Sequence, residues 1–114
     1  MEVNVREKNG VTIFDIQGRI IGADSLELKS IIDDHIASKT EGEVKILLNL
    51  AKVPMMDSSG LGVVVAAYTS VQRQKGRIAL LNLGRSTRQL IVMAKLMTIF
   101  EAYDDEDTAV DSFK

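Results

Sequence analysis

The stretch Met55-Met56-Asp57-Ser58-Ser59-Gly60-Leu61-Gly62-Val63-Val64-Val65 (MMDSSGLGVVV) sets an acid and two serines directly ahead of a glycine-punctuated apolar run. Upstream lies VKILLNL, Val44 to Leu50, a mostly apolar run consistent with a buried strand covered on at least one face. Pro54 stops any helix from starting between the two. Downstream, Leu61, Val64, Val65, Tyr68 and Val71 recur at helical intervals from Ser59 to about Gln74. Arg73 and Lys75 suit the negative end of that helix, and Gly76 reads as its terminator. A strand that runs through a polar turn into a helix is the repeating unit of α/β proteins.

The flanking chain repeats the unit. Glu2 to Lys8 reads as a short strand with Val3 and Val5 alternating against polar neighbours. Asn9-Gly10 is a strong hairpin signal, and VTIFDIQG returns as a second strand in which Val11, Ile13 and Asp15 alternate with Thr12, Phe14 and Ile16. From Asp24-Ser25 to Ser38, Leu28, Ile31, Ile32, His35 and Ile36 share a helical face, with Asp24 or Ser25 as N-cap. RIALLNL is another strand, Gly84 a break, and Ser86 to Lys95 a helix through Leu90, Met93, Ala94 and Met97. Thr98 to Ala102 reads as a last short strand, and DDEDTAVDSF as a final helix with Ala109, Val110 and Phe113 inward. The order β-β-α-β-α-β-α-β-α predicts a single α/β domain over residues 1–114. Its sheet is expected to be mostly parallel, with four or five strands opened by an antiparallel hairpin, about four helices and right-handed crossovers.

Composition excludes several function classes. With 46% hydrophobic and 26% charged residues the chain matches an ordinary globular protein rather than a disordered one. A formal charge of −2, scattered Lys and Arg and few aromatics give no footprint for nucleic acid. The absence of Cys removes thiolate metal sites, and the single His, His35, removes multi-histidine ones. No apolar run approaches the roughly 20 residues that span a bilayer, and the N-terminus has no apolar signal core. A soluble, cytoplasmic protein without membrane insertion or cofactor is expected.

Asp57 and Ser58 fall at the carboxyl end of a central strand and the amino end of the next helix, where open α/β sheets present ligand sites. Free backbone N–H groups and the helix dipole favour negative charge there, so a phosphate on Ser58 would meet ready donors. The plain alternative is that Asp57 or Ser58 merely caps the helix. Capping does not account for both Gly60 and Gly62 in the first turns, since each costs about 1 kcal/mol relative to alanine. Close approach of backbone, from a neighbouring element or a docking partner, would. His35 reads as structural, because a Ser–His hydrolase would need it beside Ser58 and nothing places the middle of the first helix there. Asn49 reads as a satisfied buried amide, Asp104 to Asp107 as a solvated acidic helix start, and Met93 and Met97 as core or partner-facing packing.

The segment Asp57-Ser58-Ser59-Gly60-Leu61-Gly62, preceded by the strand Ile46 to Leu50, resembles the signature of the STAS-domain anti-sigma factor antagonist family. The resemblance covers nearly the whole chain, including the Gly18-Arg19-Ile20 turn, the strand–Gly84–Ser86 passage and the acidic final segment. It implies phosphorylation of Ser58 by the anti-sigma factor, an ATP-binding serine kinase related to histidine kinases. Asp57 would hold the loop and aid kinase recognition, and Ser59, Gly60 and Gly62 would let the partner approach the backbone. The unphosphorylated form would bind the anti-sigma factor and free the sigma factor, and a serine phosphatase would reset phospho-Ser58. Many members carry an acid two residues after the position of Arg19. This chain has Ile21 there, followed by Gly22, Ala23 and Asp24, with Asp24 the candidate substitute. Two rival roles come from other classes: a phosphorylation-independent subunit docking on the cytoplasmic ATPase of a membrane lipid transporter, and a scaffold in a stress-sensing complex.

Overall fold

Both faces of the central strands are apolar, and this dictates the layering. The computed structural model describes residues 1–114. It contains β1 (Glu2–Lys8), β2 (Val11–Gln17), α1 (Ala23–Ala37), β3 (Lys45–Lys52), α2 (Ser58–Arg73), β4 (Arg77–Leu81), α3 (Arg85–Met93), β5 (Glu101–Tyr103) and α4 (Glu106–Asp111). One five-stranded sheet has the order β1-β2-β3-β4-β5, antiparallel at β1–β2 and parallel thereafter. The mixed sheet, the four helices and the element order agree with the sequence reading.

Because each parallel strand lies beside its predecessor, right-handed crossovers carry α1, α2 and α3 to the same face. There Phe14, Ile16, Ile46, Leu48, Leu50, Ile78 and Leu80 pack against Leu28, Ile32, Val64, Ala67, Val71 and Ile91. The alternate residues of the same strands, Val11, Ile13, Leu47, Ala79 and Leu81, form a smaller second core under Ala109, Val110 and Phe113 of the C-terminal segment. Arg77 fastens that segment: its guanidinium lies 4.7 Å from the centre of the Phe113 ring and donates to the Ser112 carbonyl and to Glu101.

Several boundaries move for local reasons. The first helix is capped by neither Asp24 nor Ser25. Gly22 is its N-cap in a left-handed conformation (φ 53°), and Ser25 is buried in the first turn. α2 begins at Ser58, one residue earlier than expected, because Asp57 takes the cap. Its left-handed terminating residue is Lys75 (φ 56°), and Gly76 is required for a different reason: a Cβ there would sit 2.3 Å from the Val44 carbonyl oxygen. α3 stops at Met93, short of Lys95. Lys95 is left-handed (φ 62°), and the amides of Lys95 and Leu96 close onto Val92 and Ile91, a Schellman ending without glycine. That ending turns Met93 out, 73% exposed and not in the core, and delays the last strand to Glu101–Tyr103.

Candidate partner-binding site

The loops at the carboxyl ends of β2 and β3 are stitched together, and Asp57 is the knot. Its Oδ1 accepts from the Gly60 amide at 3.0 Å, capping α2, while its Oδ2 accepts from the Gly22 amide at 3.2 Å, across the gap to the β2–α1 loop. Backbone bonds run alongside: Ile20 N–H donates to the Met55 carbonyl at 3.2 Å, Asp57 N–H to the Ile20 carbonyl at 3.3 Å, and Gly18 N–H to the Lys52 carbonyl at 3.0 Å. Ile20 and Met56 make an isolated parallel bridge and are both buried. The amides of Gly60 and then Gly22 favour the charged carboxylate, so Asp57 titrates below its usual range and is ionised at neutral pH.

Asp57, Ser58, Ser59, Ile21, Gly22 and Asp24 are therefore brought together at the carboxyl end of the sheet, beyond β2 and β3. Ser58 and Ser59 occupy the first two positions of α2 and are exposed, as is Gly22, while Ile21 and Asp24 are half-buried. The two glycines of the turn part company. Gly60 lies beneath the surface, where a Cβ would stand 2.6 Å from the Ile20 carbonyl oxygen and 3.1 Å from Met56 Cβ. The β2–α1 loop, a neighbouring element of this chain, uses up that close approach. Gly62 is exposed with open space above it, so the fold supplies no reason for its missing side chain.

His35 belongs to no such constellation. Its ring packs edge-on to Phe14 at 5.5 Å, its Nε2 is buried without a partner, and burial lowers its basicity, reinforced by the charge of Lys39. Asn49 is half-buried and satisfied: its amide donates to Asp15 Oδ1 at 2.8 Å, and its oxygen accepts from Ala51 N–H and Asn82. Asp15 in turn accepts from Arg6, which also pairs with Glu106. Thus the acidic final segment is more than a solvated helix start. Asp105 caps α4 through the Thr108 amide, and Glu106 ties α4 to β1 through Arg6 and Lys8. This polar network lies on the sheet face opposite α1–α3, beside a hollow of about 460 Å³ lined by Asn4, Gln17 and Lys52 among others.

A sequence reading misses the partners of the knot, Ile20 and Met56, and the burial of Gly60. The signal was the pairing of Gly60 with the Gly18-Arg19-Ile20 turn, which only a tertiary contact links.

The family model for the STAS domain matches residues 2–109. The chain belongs to the STAS domain family. Among curated STAS relatives, the anti-sigma F factor antagonist of Paenibacillus polymyxa is 26% identical over 110 residues, covering 96% of this chain and 92% of the relative. The anti-sigma-B factor antagonist of Bacillus subtilis (strain 168) is 29% identical over 101 residues, covering 89% and 91%. An anti-sigma factor antagonist from Mycobacterium paratuberculosis shares the fold with a TM-score of 0.85 at 22% identity, over 98% of this chain and 92% of that one. The Bacillus cell fate determinant SpoIIAA, solved in a phosphorylated form, has a TM-score of 0.76 at 21% identity, over 99% and 100%. No helix is long and apolar enough to cross a membrane.

Proposed function

We propose that this chain is an anti-sigma factor antagonist whose binding is switched off by a phosphate on Ser58. The observation that carries the reading is a division of labour at the start of α2. Asp57 caps the helix through the Gly60 amide, so the exposed Ser58 hydroxyl is not needed for that task. Ser58 stands next to an ionised carboxylate and beside a loop that Asp57 pins in place. The partner is an anti-sigma factor that is also an ATP-dependent serine kinase related to histidine kinases, and it docks over Ser58, Ser59, Gly62, Ile21, Gly22 and Asp24. Gly60 and Asp57 shape this surface from below.

Phosphorylation adds about −1.5 to −2 charges at neutral pH. Within an interface that charge must be desolvated next to the Asp57 carboxylate, and a loss of about 3 kcal/mol is more than a hundredfold in affinity. The fold need not change. A phosphatase acting on phospho-Ser58 restores binding.

The test is capture from the native cell by the wild type and by Ser58→Asp, with phosphosites read by mass spectrometry. The reading expects a small ATP-binding kinase on the wild type only, phosphate on Ser58, and equal melting temperatures for both proteins. Equal capture of a transporter ATPase by both, with Ser58 unmodified, would refute it in favour of a docking subunit. A large fall in the melting temperature of Ser58→Asp would return Ser58 to a structural role.

A further inference from the structure

The outer edge of β1 is a seven-residue strand, EVNVREK, with no strand beyond it. We infer that this edge pairs with the same edge of a second copy, so that two five-stranded sheets join into one about a two-fold axis at Val5.

The hairpin fixes which backbone groups are available. Asn9 (φ 52°) and Gly10 (φ 82°) form a two-residue turn closed by the pair Lys8 and Val11. Hydrogen-bonded and non-hydrogen-bonded pairs alternate from that closing pair. Lys8, Arg6, Asn4 and Glu2 therefore direct their N–H and C=O groups at β2, and Val3, Val5 and Glu7 direct theirs outward. An antiparallel two-fold through Val5 sets Val5 on Val5 and Val3 on Glu7. Every outward N–H and C=O then finds a partner.

The side chains select the same register. The remaining pairs are Glu2 with Lys8 and Asn4 with Arg6, at non-hydrogen-bonded positions, where side chains come closest. At each end of the joined edge Glu2 meets Lys8, an opposite charge that also pairs with Glu106 and Asp107 of its own copy. Moving the axis one residue toward the C-terminus would oppose Arg6 to Arg6, and moving it toward the N-terminus leaves Glu7 and Lys8 unpaired. Val5, an apolar residue 49% exposed in mid-edge, would be covered by its own copy. Natural edge strands are commonly protected by charge, but here the charges are self-complementary rather than repulsive. In such a dimer α1–α3 of both copies lie on one face of the joined sheet, and the two Ser58 turns point to opposite ends.

A seven-residue edge is small against the roughly 800 Å² per partner of a stable interface, so the expected dissociation constant is on the order of 100 µM. Sedimentation velocity of the full chain across micromolar to millimolar concentrations tests it. The expected result is a monomer–dimer equilibrium abolished by Val5→Pro. That substitution removes an outward N–H and leaves the β1–β2 ladder intact, so the monomer's melting temperature should hold. A second test does not depend on how proline is tolerated. Glu2→Lys, at a residue outside the ion pairs that tie β1 to α4, opposes Lys8 of the second copy and is monomeric at low ionic strength, and added salt restores dimerisation by screening that repulsion. A wild type that stays monomeric at about 1 mM, or a dimer indifferent to Val5→Pro and to Glu2→Lys, would overturn the inference.

Discussion

Alanine at Gly60 and alanine at Gly62 are expected to shift stability in opposite directions, although the two positions sit two residues apart in one helix. At Gly62 the added methyl meets nothing within 4 Å, so only helix propensity acts and the variant gains about 1 kcal/mol. At Gly60 the methyl would stand 2.6 Å from the Ile20 carbonyl oxygen, 3.0 Å from Ile20 Cγ2 and 3.1 Å from Met56 Cβ. The carbonyl cannot easily retreat, because it accepts the Asp57 amide while the Ile20 amide is held by Met55. Overpacking against fixed backbone costs about 3 kcal/mol, at the upper end of its range, and the propensity gain offsets about 1. The net loss is about 2 kcal/mol, and the two variants should differ by about 3. For a chain of this length that separates the melting temperatures by roughly 10–15 °C, with wild type between. Urea unfolding should give the same order with unchanged slopes, because neither methyl alters the surface exposed on unfolding. A Gly60→Ala variant as stable as wild type would refute the close-approach account of this turn. The pair also separates fold from function, since Gly62→Ala should weaken partner binding despite its gain in stability.

Other expectations concern pH and the C-terminal segment. The Arg6 guanidinium holds the Asp15 carboxyl below its ordinary 3.8, with Asn49 adding to the effect, and likewise holds Glu106 below its ordinary 4.5. Depressed carboxylates stabilise the fold above their ordinary values, and that stability is lost as pH falls through the folded values. Asp15→Asn should therefore cost about 1 kcal/mol at pH 7 and flatten the acid limb of a urea-monitored stability profile. For His35 the folded state prefers the neutral ring, so stability should decline as pH falls from 6.5, its ordinary value, toward the lower folded value. His35→Leu should remove this slope, and the chain's single imidazole resonance, followed by NMR, should titrate below 6.5. Phe113→Ala should cost about 3 kcal/mol by emptying the second core and should expose the α4 segment to proteolysis before the rest of the chain.

The chain wrote its own architecture plainly because the deciding signals are local. The mostly apolar runs of Val44 to Leu50 and Ile78 to Leu81 belong to strands buried on both faces, and Asn9-Gly10 enforces a hairpin through its positive φ angles. Asp57 and Ser58 were legible as a helix start because capping depends on a carboxylate three residues from the amide it serves. What the linear pattern left open is decided by contacts distant in sequence. Gly60 and Gly76 look alike as helix punctuation, yet each is glycine because another element's carbonyl occupies the space of its side chain. Gly22 displaces Asp24 and Ser25 as the cap because Asp57, thirty-five residues on, fixes its amide. Glu106 leaves solvent because Arg6, a hundred residues away, waits on the first strand. Propensity and periodicity act within a turn or a strand, so the sequence by itself determined which elements form and in what order. Excluded volume and ion pairing act between elements, and only the tertiary structure could assign those residues their roles.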